Sequence, residues 1–473
     1  MAGITSIGAY IPMYRLNLDE ITKFWHIKGM SGEKAVAGYD EDSITMAVAA
    51  AVDCLKGNEG PPQGLYLATT TNPYREKQGA ALIASAVDLG RDALIADFAN
   101  SLRAGSIALR SAMDTVKSGS AKSILIAASD CRMGAPQGKS EQLLGDGAAA
   151  VTVGSDRPIA EIESSSSIFN DFTDHWRTDR DAFIRSAEGR FIDATGYMPT
   201  MQDAISGLMK KNAVSPKDIS KIVFYASDIK EHAGLAKMLG FERSQVQDPL
   251  FVQIGNTGAA ATFLMLAAAL DEAKAGDRIL LAGYGDGCDA FLLRVTKEID
   301  RIHVKPPVKD QLARKASVSY GNYLSWRNLV PIETANLPAR SEPSVVSRWR
   351  ERKSIAALYG VRCKKCGTPQ FHPIGQNIRV CATCQAKDDF EAYRFSDRQG
   401  KLFSYSVDQL QPTKNPPGLN GVVDFDGGGR LICELTDYDL DKVKIGMPVE
   451  MTYRKMSQGE GIINYFWKAK PVA

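Results

Sequence analysis

Two cysteine pairs, Cys363-Lys-Lys-Cys366 and Cys381-Ala-Thr-Cys384, carry the sharpest chemical signal in this chain. Fourteen residues separate them, and two such turns can bring four thiolates tetrahedrally onto one zinc ion. A site closed by four sulfurs leaves no open position, so the expected role is structural. His372 lies in the loop between the pairs, where a fifth ligand is not needed. The other cysteines, Cys54, Cys131, Cys288 and Cys433, are scattered. Cys131 follows an apolar strand and Cys288 follows a Gly-Asp-Gly turn, and both read as small buried hydrophobes. Clustering of this kind, in a chain whose first ten residues lack a basic region and an apolar core, points to metal binding rather than disulfides. A cytoplasmic location is the corresponding expectation.

The elements that must position these and other groups follow from the pattern. To about residue 300, short apolar strands alternate with Ala-rich helical stretches, as in an α/β layered fold. Strands are expected at Gly64–Thr69, Ser123–Ala127, Ala149–Val153, Lys221–Tyr225 and Arg278–Ala282. A weak duplication is visible. The helical stretches Ser106–Gly119 and Thr262–Gly276 each end in Lys-x-Gly and feed a buried strand, and each half then reaches a Gly-Asp-Gly turn, at Gly145–Gly147 and Gly285–Gly287. Two similar halves imply a pseudo-twofold core with a site between them. The uncharged stretch Pro249–Leu270 has the length of a membrane span, but its central Gly-Asn-Thr-Gly fits a strand, a loop and a buried helix better. We expect a first half over 1–165, a polar and aromatic capping insertion over 166–215 and a second half over 216–335. A linker over Leu337–Pro343, a basic helix from about Val345 to Leu358 with the cysteine pairs (345–390), and a small OB-type β-barrel over 391–473 follow.

The 473 residues exceed what one core accommodates, and 44% hydrophobic with 24% charged residues describes an ordinary globular protein. A formal net charge of +2 argues against nucleic acid as a dedicated partner, and the barrel lacks interleaved basic and aromatic runs. No membrane partner is expected.

The segments Gly3–Arg15, Gly145–Ala150, Ile254–Thr257, Gly283–Phe291 and Ser319–Arg327 resemble archaeal-type 3-hydroxy-3-methylglutaryl-CoA synthase, of the thiolase superfamily. The remainder resembles the zinc-ribbon and OB-fold domain that accompanies many thiolase-like proteins as a separate subunit, here fused. The resemblance implies a duplicated thiolase-type five-layer α/β fold, a homodimer or larger oligomer, and an acyl-CoA substrate. That family works with a Cys nucleophile, a Glu acid/base and a His at the thioester oxygen. Matched residue by residue, those positions hold Leu102, Thr70 and Tyr225. A leucine cannot form an acyl-enzyme, so ping-pong transfer through that position is excluded. Ser101, its neighbour, reads as an N-cap rather than a nucleophile. None of His26, His175, His232, His303 and His372 falls at a family catalytic position, and His232 lies nearest in sequence to Tyr225.

What survives needs no nucleophile. Asn256 keeps its family position and is the candidate donor to a thioester or enolate oxygen. Backbone N–H groups around Gly285–Cys288 are a second candidate, and Tyr225 is a candidate proton carrier. Similar thiolase-fold aldolases that act with a zinc-ribbon/OB partner lack the cysteine and are thought to use tyrosines. The expectation is therefore carbon–carbon bond formation or cleavage in a β-hydroxy- or β-keto-acyl-CoA, of aldol, retro-aldol or Claisen type. The competing expectation is a non-catalytic thiolase-like subunit that scaffolds a separate, active thiolase.

Overall fold

The computed structural model describes residues 2–58, 60–301, 308–333, 344–372, 377–459 and 461–472. His303 and the expected linker Leu337–Pro343 lie outside them. The chain divides into two compact units. The first holds residues 2–38, 42–84 and 89–320, and the second holds 39–41, 85–88 and 321–472.

The first unit is built on nine strands: β1 (Gly3–Tyr10), β2 (Gly64–Thr69), β3 (Leu94–Ala99), β4 (Ser123–Asp130), β5 (Gly147–Gly154), β6 (Ala160–Phe169), β7 (Lys221–Phe224), β8 (Arg278–Tyr284) and β9 (Gly287–Val295). Their order across the sheet is β7-β8-β9-β6-β1-β5-β4-β2-β3. The duplication is written in the pairing. β2 runs parallel to β4, β4 antiparallel to β5, and β5 antiparallel to β1. In the same sequence β7 runs parallel to β8, β8 antiparallel to β9, and β9 antiparallel to β6. The halves meet where Gly3 and Ile4 of β1 pair with Glu161 and Ala160 of β6. Ile222 bridges Val246 in parallel, at the place β3 occupies in the first copy.

Helices complete five layers. α1 (Ser43–Leu55) lies on β1, β5 and β4, while α3 (Met198–Lys211) lies on β9, β6 and β8. α2 (Ala104–Lys117) and α5 (Ala261–Glu272) touch strands of both halves and form the central layer. Their composition suits the place: nine residues of α5 are buried, since a helix covered on every side must be apolar on every side. β2 and β5 are buried along their whole length and read as continuous apolar runs for the same reason. α1 starts sharply because Asp42 and Thr45 form a capping box.

Three expectations are corrected. Pro249–Leu270 holds no strand: Phe251–Ile254 form one helical turn between Leu250 (φ 63°) and Gly255 (φ 74°), and positive-φ residues five positions apart leave no extended run. The basic helix splits at Glu351 into α6 (Val345–Arg350) and α7 (Arg352–Ala357). Within the stretch read as a cap, β6 reaches Phe169 in the main sheet and α3 belongs to the outer layer, because Met201, Ile205 and Leu208 bury an apolar face on the sheet.

The second unit holds a three-stranded ribbon, β10 (Tyr359–Cys363), β11 (Pro369–Gln370) and β12 (Phe390–Arg394). A five-stranded sheet follows: β13 (Gln399–Asp408), β14 (Gly418–Phe425), β15 (Arg430–Glu434), β16 (Pro448–Gly459) and β17 (Ile462–Pro471), in the order β15-β14-β13-β16-β17. Leu435, just past β15, bridges Ala469 of β17, which brings the ends together into a near-barrel. Residues 39–41 belong to this unit through buried charge. Arg454 pairs with Asp437 at 2.6 Å and with Glu41, and Lys468 pairs with Asp40 at 3.0 Å and Glu434 at 2.8 Å.

Candidate active site

The segments that leave the parallel strands at their C-terminal ends gather the candidate residues, as crevices in open α/β sheets do. Thr70 follows β2, Ser101 and Leu102 follow β3, Arg132 follows β4, Tyr225 follows β7, and Gly285 follows β8. They wall two adjoining cavities that share Arg132, His175 and Ile184. The outer one, about 990 Å³, contains Thr70, Leu102 and Gly285 together with Arg75, Lys77 and Trp176. The inner one, about 90 Å³, contains Tyr225, Ser227, Glu231 and Asn256.

Asn256 is fixed by an interlock of two glycine-bearing turns. Its N–H donates to the Leu143 carbonyl at 2.7 Å, and its carbonyl accepts from Gly145 at 3.0 Å. A Cβ on Gly145 would stand 1.8 Å from the Ile254 carbonyl oxygen, so only glycine lets the turns approach this closely. The Asn256 side-chain N–H groups point to the Tyr225 hydroxyl (3.0 Å) and the carbonyls of Ala226 (3.1 Å) and Ser227 (3.3 Å). Tyr225 thus accepts from Asn256. Its backbone carbonyl accepts from the buried Tyr197 hydroxyl at 2.7 Å, and its ring lies near-parallel to Tyr284. Burial pushes the Tyr225 phenol above its ordinary value, against the opposing pull of Arg132 and of the Asn256 hydrogen bond, so the phenol keeps its proton.

Thr70 is occupied elsewhere. Its N–H (2.7 Å) and hydroxyl (3.0 Å) donate to the buried Asp130, which also takes Thr69, Thr71 and the Ala259 N–H. Leu102 packs partly buried before α2 and offers no nucleophile. The Ser101 hydroxyl does not cap α2, which begins three residues later. It donates to the Gly285 carbonyl (3.1 Å) and to Asp286 (2.8 Å). The Gly285 N–H closes the hairpin onto the Gly287 carbonyl at 3.0 Å, and Cys288 is paired within the sheet, so Gly285 points its N–H at the hairpin rather than at the cavity.

Among the described histidines, His232 is buried and stacked on Phe224, with burial pushing it down to about 4, away from either cavity. His26 is exposed past a helix end, and His372 stacks on Phe371 in the second unit. His175 lines both cavities instead, its Nδ1 3.6 Å from Asp174. Burial opposes ionisation of Asp174, but hydrogen bonds from His175 outweigh it and hold the carboxyl below the usual range. Glu231 takes the N–H (2.9 Å) and hydroxyl (2.6 Å) of Ser227. Burial, reinforced by a hydrogen bond with Asp193, lifts it to about 7.

His175, Arg132, Glu231 and Tyr284 went unread as site residues because nothing local marks them. One signal was available: Arg132 is a charged residue two positions beyond the buried strand Ser123–Asp130, at the sheet end where Thr70 already pointed.

In the second unit the four sulfurs of Cys363, Cys366, Cys381 and Cys384 lie within 4.8 Å of one another, with Cys363–Cys384 and Cys366–Cys381 each 3.6 Å apart. Zinc–sulfur bonds of about 2.3 Å in a tetrahedron place sulfurs about 3.8 Å apart, so the donor set fits zinc.

Five layers, a repeated strand pattern and a crevice at the strand ends define a thiolase-superfamily protein. The fold is similar to a crystal structure of HMG-CoA synthase complexed with CoA (TM-score 0.62, 20% identity, covering 68% of this chain and 89% of that one). It is also similar to 3-oxoacyl-[acyl-carrier-protein] synthase III from Aquifex aeolicus (TM-score 0.55, 23% identity, 62% and 100%). Residues 209–295 match the family described as 3-oxoacyl-[acyl-carrier-protein] synthase III C terminal, and residues 393–454 match the ChsH2 C-terminal OB-fold domain. The sequence is 34% identical to hydroxymethylglutaryl-CoA synthase of Archaeoglobus fulgidus and 35% identical to that of Methanocaldococcus jannaschii, each alignment covering 70% of this chain and 99% of the relative. The chain belongs to the hydroxymethylglutaryl-CoA synthase family.

Proposed function

We propose that this chain forms or cleaves a carbon–carbon bond in a β-hydroxy-acyl-CoA, by aldol or retro-aldol chemistry without a cysteine acyl-enzyme. One observation carries the reading: Asn256 donates to the Tyr225 hydroxyl at 3.0 Å, which leaves the phenol proton for a ligand oxygen in the inner cavity. In the cleavage direction a carboxylate takes the β-hydroxyl proton. The O–H electron pair becomes the second bond of a carbonyl as the Cα–Cβ bond breaks, and the Cα–Cβ pair becomes a thioester enolate whose oxygen Tyr225 holds. The enolate carbon then recovers a proton. Glu231, poised near neutrality in the same cavity, suits the proton-carrying role. The outer cavity, with Arg75, Lys77 and Trp176, has room for the CoA arm. Zinc on the four cysteines stabilises the ribbon and takes no part in the reaction. A homodimer fits the same reading, since β3 ends the main sheet with an open edge.

A second reading has its own support: with Leu102 inert and the Thr70 hydroxyl held by Asp130, the domain suits a scaffold for an active thiolase subunit. Denaturing mass spectrometry after incubation with a panel of acyl-CoAs separates the two. Product thioesters with unmodified protein support the cysteine-free enzyme. An acyl adduct sinks that mechanism, and neither product nor adduct favours the scaffold.

A further inference from the structure

The proposed reaction moves two protons, one at the β-oxygen and one at the enolate carbon, and Glu231 accounts for the first. Few groups on the inner cavity can carry the second. Arginine does not deprotonate and serine hydroxyls are weak bases, which removes Arg132, Ser140, Ser186 and Ser227. Tyr225 serves the thioester oxygen, and the exposed Lys139 ammonium pairs with Asp228 at 3.1 Å. His175 remains. It lies on a two-stranded ribbon, His175–Trp176 against Arg185–Ser186, that is pinned at two points of the crevice. Arg177 donates to the Thr70 carbonyl at 2.8 Å, and the Ile184 N–H donates to the Met133 carbonyl at 3.0 Å. The ribbon therefore carries His175 to the ends of β2 and β4, where it walls both cavities. Behind the ring, Asp174 stands 3.6 Å from Nδ1 and also takes a hydrogen bond from Tyr284. A carboxylate at Nδ1 favours the tautomer that carries its proton there, which leaves Nε2 as a base.

We infer that His175 is the group that exchanges a proton with the α-carbon of the acyl-CoA, through Nε2. The inference rests on the carbon–carbon reading above and adds a catalytic residue to it. In the condensation direction Nε2 takes the α-proton. The Cα–H pair forms the enolate double bond, and the second bond of the thioester carbonyl becomes a lone pair on the oxygen at Tyr225. The enolate carbon then attacks the carbonyl carbon of an aldehyde or ketone, whose oxygen receives the proton from Glu231. Cleavage runs the same steps backwards, with the imidazolium returning its proton to Cα. Each turnover leaves one of the two groups a proton richer and the other a proton poorer, and exchange with solvent resets both. Asp174 is a positioning residue in this account.

Deuterium uptake isolates this step from bond making, because an α-proton exchanges without any second reactant. The full chain is incubated in heavy water with acetyl-CoA and with propionyl-CoA, and the mass of the recovered thioester is followed over time. The wild-type protein is expected to label Cα. His175→Ala is expected to slow labelling about a hundred-fold or more, the range of a lost general base, and added imidazole to restore part of it. Wild-type labelling rates in His175→Ala overturn the inference, the more so where Glu231→Gln abolishes labelling and takes the α-proton for itself. A loss that imidazole leaves unrepaired assigns His175 to structure alone and overturns it too. No labelling by the wild-type protein also overturns it. Products from the acyl-CoA panel above would then leave the carbon–carbon reading in place, and their absence would remove both.

Discussion

At the scale of single residues the site works by division of labour among groups that are each half-satisfied. Tyr225 accepts one hydrogen bond and has a proton to give, His175 has one nitrogen turned to Asp174, and Glu231 is held where it can change protonation near neutrality. The last point has a consequence for stability that needs no substrate. A glutamate in the unfolded chain titrates at about 4.3, whereas burial and Asp193 raise Glu231 in the folded protein to about 7. Between those values the folded state holds a proton that the unfolded chain has released, so stability falls as pH rises through that window. The melting temperature of the wild-type protein should drop by on the order of a few degrees across it, and Glu231→Gln should flatten that slope. Parallel melting curves for the two proteins from pH 4 to 7 would show that Glu231 is not the group responsible.

At the scale of elements, the site depends on turns that press against one another more than on the strands that deliver them. The π-helical turn Ile192–Tyr197 supplies both Asp193, which partners Glu231, and Tyr197, which holds the Tyr225 carbonyl. π-turns widen a helix by one residue and recur at functional positions. The Gly145 interlock is the more easily tested of these contacts. In Gly145→Ala the new methyl meets the Ile254 carbonyl oxygen, and either that helical turn or the chain around Asn256 must shift. We expect a loss of about 1–3 kcal/mol by chemical denaturation, the usual cost of overpacking, with the Asn256–Tyr225 hydrogen bond lengthened. A crystal structure of the variant with Asn256 unmoved and unchanged stability would argue that the interlock is slack.

At the scale of the whole molecule, two units with different sources of stability share one chain. The first rests on a large apolar core between sheet halves. The second has a small barrel held by buried ion pairs around Arg454 and Lys468, and a ribbon of three short strands whose cysteines point at one centre. Such a ribbon has little apolar interior, and metal held by the four cysteines would supply its folding free energy. The purified protein should carry one zinc per chain by atomic emission, and Cys366→Ser or Cys381→Ser should lose it and expose the ribbon to proteolysis. Protein without metal but with a protease-resistant ribbon would show that the apolar contacts of Phe371 and Phe395 suffice.

Much of this was legible in the chain itself, for reasons of range. The candidate zinc ligands depend on two spacings of three residues, and the layered fold depends on strand-helix alternation and a repeated Lys-x-Gly and Gly-Asp-Gly punctuation, all of them local patterns. The proposed replacement of the three family groups, by Thr70, Leu102 and Tyr225, is likewise a matter of residue identity. What local pattern cannot carry is direction and partnership. Ser101 looked like a cap and is turned toward Asp286, because the hairpin at Gly285 arrives beside it from nearly two hundred residues away. Asn256 looked like a ligand donor and is turned toward Tyr225. His175, Glu231 and Arg132 come from the insertion, α4 (Ile229–Met238) and the end of β4, elements that share no sequence signal and meet only when the sheet halves close on the central helices. On the proposed reading, the sequence determined which chemistry was lost. Tertiary packing decided which groups stand in its place, since burial and the distribution of hydrogen-bond partners are properties of the assembled chain.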